Sequence, residues 1–177
     1  IEIYEALADY GYREVGQEYL QNVLNTDKKL DAYDSGRIYY YLGDYQKAYL
    51  ALEEAKGKGG VDSYLYLGKA YAATGDYNYA SSVYSNYLSK QGPDAEIYNQ
   101  LGLCELAKKD YQKALEAFQA GKQIEGNSLM QTLSFNEIVA YEYLQDYQKA
   151  AVLLKAYLQN YPDDQAAIRE QQFLSTR

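Results

Sequence analysis

Histidine and tryptophan are absent from the 177 residues, and the chain has only one cysteine, one methionine and two prolines. Without histidine it lacks the commonest acid–base group near neutral pH and the commonest metal ligand. A single cysteine, Cys104, excludes an intramolecular disulfide. No apolar run approaches the roughly 20 residues that a membrane-spanning helix needs. We therefore expect no catalytic site, no cofactor, no metal ion and no transmembrane segment.

Basic residues are also scarce relative to acidic ones, with 17 Lys and Arg against 25 Asp and Glu, which gives a net charge of −8. Such a chain repels a phosphate backbone, so nucleic acid is excluded as an expected partner. What the chain does contain is tyrosine, with 24 Tyr against 3 Phe. Tyrosine rings pack like apolar groups while their hydroxyls seek water or a partner, which suits thin, partly wet walls.

One hexamer recurs four times: "GDYQKA" at 43–48, "GDYNYA" at 75–80, "KDYQKA" at 109–114 and "QDYQKA" at 145–150. Successive copies begin 32, 34 and 36 residues apart. A period near 34 residues indicates repeated helix pairs. We interpret each hexamer as the corner between the two helices of a pair. Its Gly ends the first helix, its Asp caps the second, and its Ala lies at a close helix–helix contact.

Residues before and after each hexamer complete a pattern. The second copy reads Tyr64-x2-Leu67-Gly68-x2-Tyr71 and then Ala80-x3-Tyr84. The third and first copies keep most of it, whereas the fourth has Glu137 and Ile138 where Leu and Gly are expected. This pattern over residues 29–164 resembles the tetratricopeptide repeat, with Tyr in place of Trp.

The resemblance implies an all-α protein, a right-handed α-solenoid of stacked antiparallel helix pairs with a C-terminal capping helix whose outer face is polar. We predict a single solenoid over 1–177 with 11 helices. Its parts are a degenerate partial repeat, four repeats and the cap, at 1–28, 29–60, 61–94, 95–130, 131–164 and 163–177. Gly36, Gly68 and Gly102 are predicted to lie within helices, where close approach of the paired helix at the Ala positions offsets a cost of up to about 1 kcal/mol each. The segments "KGKGG" at 56–60 and "KQGP" at 90–93 are expected to separate repeats.

Candidates for chemistry are few. Cys104 lies between leucines on a predicted helix and is interpreted as a buried thiol rather than a nucleophile. Neighbouring acids at 53–54 do not face each other on a helix, and those at 163–164 suit a helix start. The glycines at 57–60 lack the rest of a phosphate-binding loop.

In tetratricopeptide domains the first helices of the pairs line an inner face that takes extended peptides or a helix. The family's inward positions correspond here to Tyr33, Arg37, Tyr40 and Tyr41 in the first repeat, Leu65, Tyr66, Lys69 and Ala72 in the second, Asn99, Leu103 and Leu106 in the third, and Phe135, Val139 and Tyr143 in the fourth. These residues form an aromatic and aliphatic wall with two cations, which a polypeptide with apolar side chains and a carboxylate would complement.

Family domains that clamp the C-terminal carboxylate of chaperones use Lys, Asn and Arg at fixed positions. Here those positions hold Tyr33, Arg37, Tyr66, Glu96 and Gln100, and Glu96 would repel a carboxylate. We therefore reject that function. The predicted function is a non-catalytic scaffold that binds a peptide or helix in the concave groove. The alternative is a glycan or cell-wall binding module, because tyrosine rings stack on sugar faces.

The tyrosine-rich, disulfide-free repeats and the ending "IREQQFLSTR" also resemble tetratricopeptide domains of bacterial surface lipoproteins. This resemblance favours an extracytoplasmic, lipid-anchored location over the cytoplasm. Because the chain begins without Met, we expect any signal segment to lie upstream. Solenoid ends can stack on one another, so a homodimer is compatible with the sequence.

Overall fold

The computed structural model describes residues 1–26, 29–56 and 60–177, and within them the secondary structure is helical, without strands. The predicted separator at 56–60 has its central residues, 57–59, outside this part of the chain. The eleven helices of the described residues are α1 (Glu2–Asp9), α2 (Arg13–Leu24), α3 (Ala32–Tyr41), α4 (Tyr45–Ala55), α5 (Gly60–Ala73), α6 (Tyr77–Gln91), α7 (Ala95–Ala107), α8 (Tyr111–Lys122), α9 (Met130–Tyr143), α10 (Tyr147–Asn160) and α11 (Gln165–Leu174). Their number is the eleven that the sequence predicts, and the assignment of the first two to a degenerate partial repeat stays a prediction.

The chain divides into two compact units, unit 1 (Ile1–Val83) and unit 2 (Tyr84–Arg177). In unit 1, α1 packs on α2, α3 packs on α4, and α5 lies against both α3 and α4. In unit 2, α7 packs on α8, α8 on α9, α9 on α10, and α10 on α11. Within each unit, most of these packing partners are consecutive helices, and α5 also contacts α3. The prediction of one continuous domain stays a prediction.

The hexamers form the corners that the sequence predicts. In all four copies the Asp side chain accepts a hydrogen bond from the backbone N–H three residues later, which caps the second helix. The four hexamer alanines, at 48, 80, 114 and 150, are fully buried. The first hexamer residue adopts a left-handed backbone in every copy, with φ of 79° at Gly43, 83° at Gly75, 64° at Lys109 and 62° at Gln145. The turn geometry is thus kept even where the residue is not glycine.

Glycines within the first helices leave room for a neighbouring side chain. A methyl group at Gly36 would lie 2.5 Å from Cγ of Leu52, and one at Gly102 would overlap the ring of Phe118. The carbonyl oxygen of Ala48 comes next, 3.3 Å from the same point at Gly36. The nearest atoms therefore belong to the residue four positions after each alanine, and these side chains, Leu52 and Phe118, are fully buried.

The helices at the two ends of the chain also have identifiable packing and capping contacts. In the degenerate pair, Gly16 lies at the alanine position against Tyr4, and Leu20 is buried four residues later. At the other end, Asp164 accepts hydrogen bonds from two backbone N–H groups and begins α11. Of the polar face predicted for this cap, Arg169 is exposed, whereas Glu170 is half-buried.

Candidate binding surface

Unit 1 brings together five of the predicted surface residues, which we call the tyrosine–arginine cluster: Tyr33, Arg37, Tyr40, Tyr41 and Tyr66. The first four lie on α3 and the last on α5. Positions four apart on a helix share a face, so Tyr33, Arg37 and Tyr41 project together. The guanidinium carbon of Arg37 lies 5.1 Å from the ring centroid of Tyr33 and 5.1 Å from that of Tyr66. Arg37 is thus held between two aromatic faces, an arrangement that stabilises a cation.

Arg37 has no acidic partner among the described residues, and its Nε is buried without a hydrogen-bond acceptor there. Arginine stays charged at any physiological pH. Its positive charge is therefore balanced by ring faces and the Tyr66 hydroxyl rather than by a carboxylate. A guanidinium in this state can still donate to an incoming anion.

Hydrogen bonds fix the tyrosines of the cluster. The Tyr41 hydroxyl donates to the carboxylate of Glu5 on α1 and lies 2.8 Å from the Tyr66 hydroxyl. The Tyr33 hydroxyl donates to Asp62 on α5 at 3.1 Å. Burial, opposed by Arg37 and reinforced by Asp62, raises the pKa of Tyr33 to about 12. Burial and the bonds to Glu5 and Tyr66 also raise the pKa of Tyr41. Both phenols therefore stay neutral donors near pH 7.

The second predicted cation, Lys69, places its Nζ 5.8 Å from the ring centroid of Tyr66. Arg37 and Lys69 therefore both lie near the ring of Tyr66. Two more predicted residues of α5, Leu65 and Ala72, are half-buried.

In unit 2 the predicted residues are less connected. Asn99 on α7 is only 5% exposed and accepts a hydrogen bond from the side-chain amide of Asn136 on α9 at 2.8 Å. Leu103 is 40% exposed and Tyr143 is 54% exposed, and these are the most accessible of the predicted residues in this unit. The Tyr143 ring stacks on Tyr111 with centroids 4.9 Å apart. This part of the surface is apolar and amide-lined.

Two predicted residues of unit 2 pack against its core, and a third is half-buried. Phe135 packs against Tyr157 with ring centroids 5.7 Å apart, and Leu106 packs against the cluster around Phe118. Val139 is half-buried. These side chains therefore offer less free surface than their helix positions suggest.

The surface also contains residues that sequence reasoning missed. Glu5 and Tyr4 lie on α1, which carries no hexamer and therefore no repeat position to mark an inward side chain. Tyr45 is a hexamer residue that contacts Tyr40, with centroids 5.8 Å apart. Asn136 was overlooked between the predicted positions of α9. The sequence did contain one signal for Glu5, because Glu5 and Asp9 are four residues apart and so share a face of α1.

The residues considered for catalysis and metal binding in the sequence can be located in the described structure. Cys104 is 4% exposed, and burial raises the pKa of its thiol to about 12, so it stays protonated. No group of three or more acidic or sulfur ligands in the described residues is placed to hold a metal ion. The two positions that argued against a chaperone clamp, Glu96 and Gln100, hydrogen-bond to each other at 3.0 Å.

Two family profiles, both described as tetratricopeptide repeat, match residues 65–128 and 135–164. Together with the helix pairs and corners described above, they show that the chain belongs to the tetratricopeptide repeat family. Its fold is a helical solenoid, as the resemblance implied. A search of curated proteins found no match.

Solved structures agree on the fold. TTC0263, a thermophilic TPR protein of Thermus thermophilus, is 15% identical with a TM-score of 0.75, over 99% of this chain and 97% of that one. YrrB, a TPR protein with an unusual peptide-binding site, is 20% identical with a TM-score of 0.68, over 97% and 90%. The second TPR domain of human RPAP3, solved with an HSP70 peptide, is 16% identical with a TM-score of 0.56, over 62% and 90%. At these identities the likeness concerns the fold alone.

Within the described residues, no helix has the length and apolar character to cross a membrane. The expected location at a bacterial surface and the homodimer stay predictions.

Proposed function

We propose that this chain is a non-catalytic protein-interaction scaffold that binds a polypeptide segment on the first helices of its repeats. Tetratricopeptide neighbours supply the general support, since the RPAP3 domain was solved with a peptide and YrrB has a peptide-binding site. The tyrosine–arginine cluster supplies the particular support. It presents a charged, ring-held guanidinium without an acidic partner among the described residues.

The chemistry of the cluster favours a polypeptide with a carboxylate, either a side chain or a C-terminus. A carboxylate can accept two parallel hydrogen bonds from one guanidinium, which strengthens the pair and fixes its geometry. Because Tyr33 and Tyr66 already hold the guanidinium plane, little side-chain freedom is lost on binding. In unit 2, exposed Leu103 and Tyr143 would contact apolar side chains of a partner.

The alternative, glycan binding, needs open ring faces. In the tyrosine–arginine cluster the rings contact one another edge-on, with interplanar angles of 76° for Tyr40 and Tyr41 and 74° for Tyr40 and Tyr66. Two further faces are occupied by Arg37. This arrangement favours the polypeptide over the sugar.

An array of random peptides, probed beside a glycan array, tests the proposal. We expect selected peptides to carry Asp, Glu or a free C-terminus. Arg37→Gln should weaken their binding about tenfold or more, because a hydrogen bond to a charged group contributes about 1.5–3 kcal/mol. Arg37→Lys should recover part of the loss. Fluorescence anisotropy measures the affinities, and thermal unfolding checks that the variants fold.

Lys155→Gln is the matched control, because it removes the same charge from an exposed position on α10, a second helix. It should bind as the unchanged chain does. Failure to retain any peptide, or retention of glycans only, would overturn the scaffold. If Arg37→Gln and Lys155→Gln bind peptides with equal affinity, Arg37 does not take part in peptide binding.

A further inference from the structure

A cavity of about 330 Å³ in unit 1 lies between α1 and the corner that joins α3 to α4. Four tyrosines and two carboxylates line it: Tyr4, Tyr40, Tyr41, Tyr45, Glu5 and Asp9. We propose that this cavity, the acidic tyrosine cavity, binds the cationic side chain of a lysine or arginine. The proposal rests on the function above and deepens it, since the cation would belong to the bound polypeptide.

The tyrosine rings that line the cavity are tilted relative to one another. Tyr4 and Tyr41 have centroids 4.9 Å apart and planes tilted by 50°, Tyr40 and Tyr45 are 5.8 Å apart at 55°, and Tyr40 meets Tyr41 edge-on. Rings tilted in this way enclose a volume instead of stacking into a slab. The face of each ring carries negative charge density, which attracts an ammonium or guanidinium group.

The two acids add a full negative charge each. Glu5 and Asp9 are four residues apart on α1, so they lie on the same helix face, and both are exposed. Glu5 also accepts the Tyr41 hydroxyl, which orients its carboxylate toward the rings. Neither acid has a basic partner within 4.0 Å among the described residues.

Arg13 is the basic residue at the edge of the cavity, and it forms no ion pair with either acid in the described part of the chain. The lining therefore keeps an excess of negative charge. Burial raises the pKa values of Tyr40 and Tyr41, so these phenols add no charge near pH 7. A metal ion is a poorer occupant, because no group of three metal-ligating residues is found among the described residues.

The acidic tyrosine cavity adjoins the tyrosine–arginine cluster through one contact. Tyr41 lines the cavity and lies 2.8 Å, hydroxyl to hydroxyl, from Tyr66, whose ring face carries Arg37. A negative site and a positive site are thus connected by two side chains. A polypeptide with a basic residue close in sequence to an acidic one would satisfy both.

Nuclear magnetic resonance titration of the whole chain tests the cavity with three probes: Nα-acetyl-arginine methylamide, Nα-acetyl-lysine methylamide and the uncharged Nα-acetyl-norleucine methylamide. We expect the two cations to shift the signals of residues 4–9 and 40–45 saturably, and the norleucine probe to leave them in place. Added salt should weaken the binding, because the sites are open to solvent. Equal shifts with all three probes would overturn the proposal.

The variant Glu5→Gln/Asp9→Asn should lose at least about tenfold in affinity for the arginine probe. Glu14→Gln/Glu18→Gln, which removes two exposed acids from α2, is the matched control and should bind normally. Asp9→Asn alone keeps the bond between Glu5 and Tyr41 and should still lose about threefold. Unchanged binding by both Asp9→Asn and the double variant would also overturn the proposal.

The same variants separate this site from the scaffold function. Arg37→Gln should leave the arginine probe bound. On the peptide array, Glu5→Gln/Asp9→Asn should lose the preference for basic residues while keeping that for acidic ones. Cation binding without any retained peptide would overturn the scaffold and support the cavity. Peptide retention without binding of the cationic probes would support the scaffold and overturn the cavity.

Discussion

Unit 1 and unit 2 arrange their aromatic residues differently. In unit 1, tyrosines of α3 and α5 gather around Arg37 at the surface, with Glu5 and Asp62 bonded to their hydroxyls. In unit 2, buried Tyr157 on α10 packs against Phe135 and Tyr161, while Tyr143, stacked on Tyr111, stays exposed.

The two units also differ in the polarity of one buried position. In unit 2, buried Glu137 on α9 pairs with half-buried Lys122 on α8 at 2.6 Å, and Gln119 donates to the same Glu137. Unit 1 has Leu67, fully buried, at the repeat position of Glu137. One position of the repeat therefore accommodates either a buried leucine or a buried glutamate with a cationic partner. The geometry of the helix pair is shared by the two units, while its chemistry is not.

The largest expected effect concerns the ion pair between Lys122 and buried Glu137. Lys122→Met leaves the Glu137 carboxylate, 8% exposed in its side chain, without its cation. We expect a loss of about 3 kcal/mol in the free energy of unfolding of unit 2. Adding Glu137→Leu places a leucine at this position, as Leu67 is placed in unit 1. This second change should restore most of the lost stability. Urea unfolding of both variants measures the difference. A double variant no more stable than Lys122→Met would show that the two units are not interchangeable here.

Next come the glycines within helices. Gly102→Ala forces a methyl group into the Phe118 ring and should cost about 1–3 kcal/mol. Gly36→Ala in unit 1 should cost less, because Leu52 can rotate where a rigid ring cannot. Phe118→Leu added to Gly102→Ala should give a smaller total loss than the two single losses combined. If calorimetry shows that the losses of stability simply add, the Phe118 ring is not what excludes a methyl group at position 102.

A smaller effect is expected at the corners. Lys109 and Gln145 of unit 2 hold left-handed backbone angles that unit 1 gives to Gly43. Lys109→Gly and Gln145→Gly should therefore each stabilise by about 0.5–1 kcal/mol, and Gly43→Lys should destabilise by a similar amount. Thermal unfolding would show these shifts. A fall in melting temperature for Lys109→Gly would contradict the strain argument.

The last comparison is the pH dependence of unit 2. Burial, together with the charge and hydrogen bond of Glu170 on α11, raises the pKa of Glu142 from 4.5 to about 7. Between these values the folded chain holds a proton that the unfolded chain has lost, so stability falls as pH rises from 4.5 through 7. Glu142→Gln should flatten this slope, and Glu125→Gln, at an exposed position, should not. Parallel pH profiles for both variants would contradict the assignment.

Much of the corner geometry was predictable, because it depends on residues within one hexamer. Asp44 and its three equivalents cap helices through bonds to a backbone group three residues away, which spacing alone can indicate. The order of helix pairs followed from the period. Missing from the prediction was the left-handed backbone at Lys109 and Gln145, where the residue type gives no sign of it.

The binding surface was less predictable, because it depends on contacts between residues distant in sequence. Family positions located Arg37 and Tyr66, but not that the rings of Tyr33 and Tyr66 would together hold the guanidinium. Nor did they separate Phe135, which packs into the core, from Tyr143, which is exposed. Glu5, 36 residues from Tyr41, lay outside every recognisable motif.

By itself, the sequence determined the repeat, the helix boundaries at the four hexamers and the small residues that allow close helix packing, because each of these depends on local spacing along the chain. Only the tertiary structure decided which tyrosines face Arg37, which carboxylates line the cavity beside it, and how Glu137 is neutralised. Those outcomes depend on side chains from different helices meeting at distances of a few ångströms, and no local pattern sets such distances.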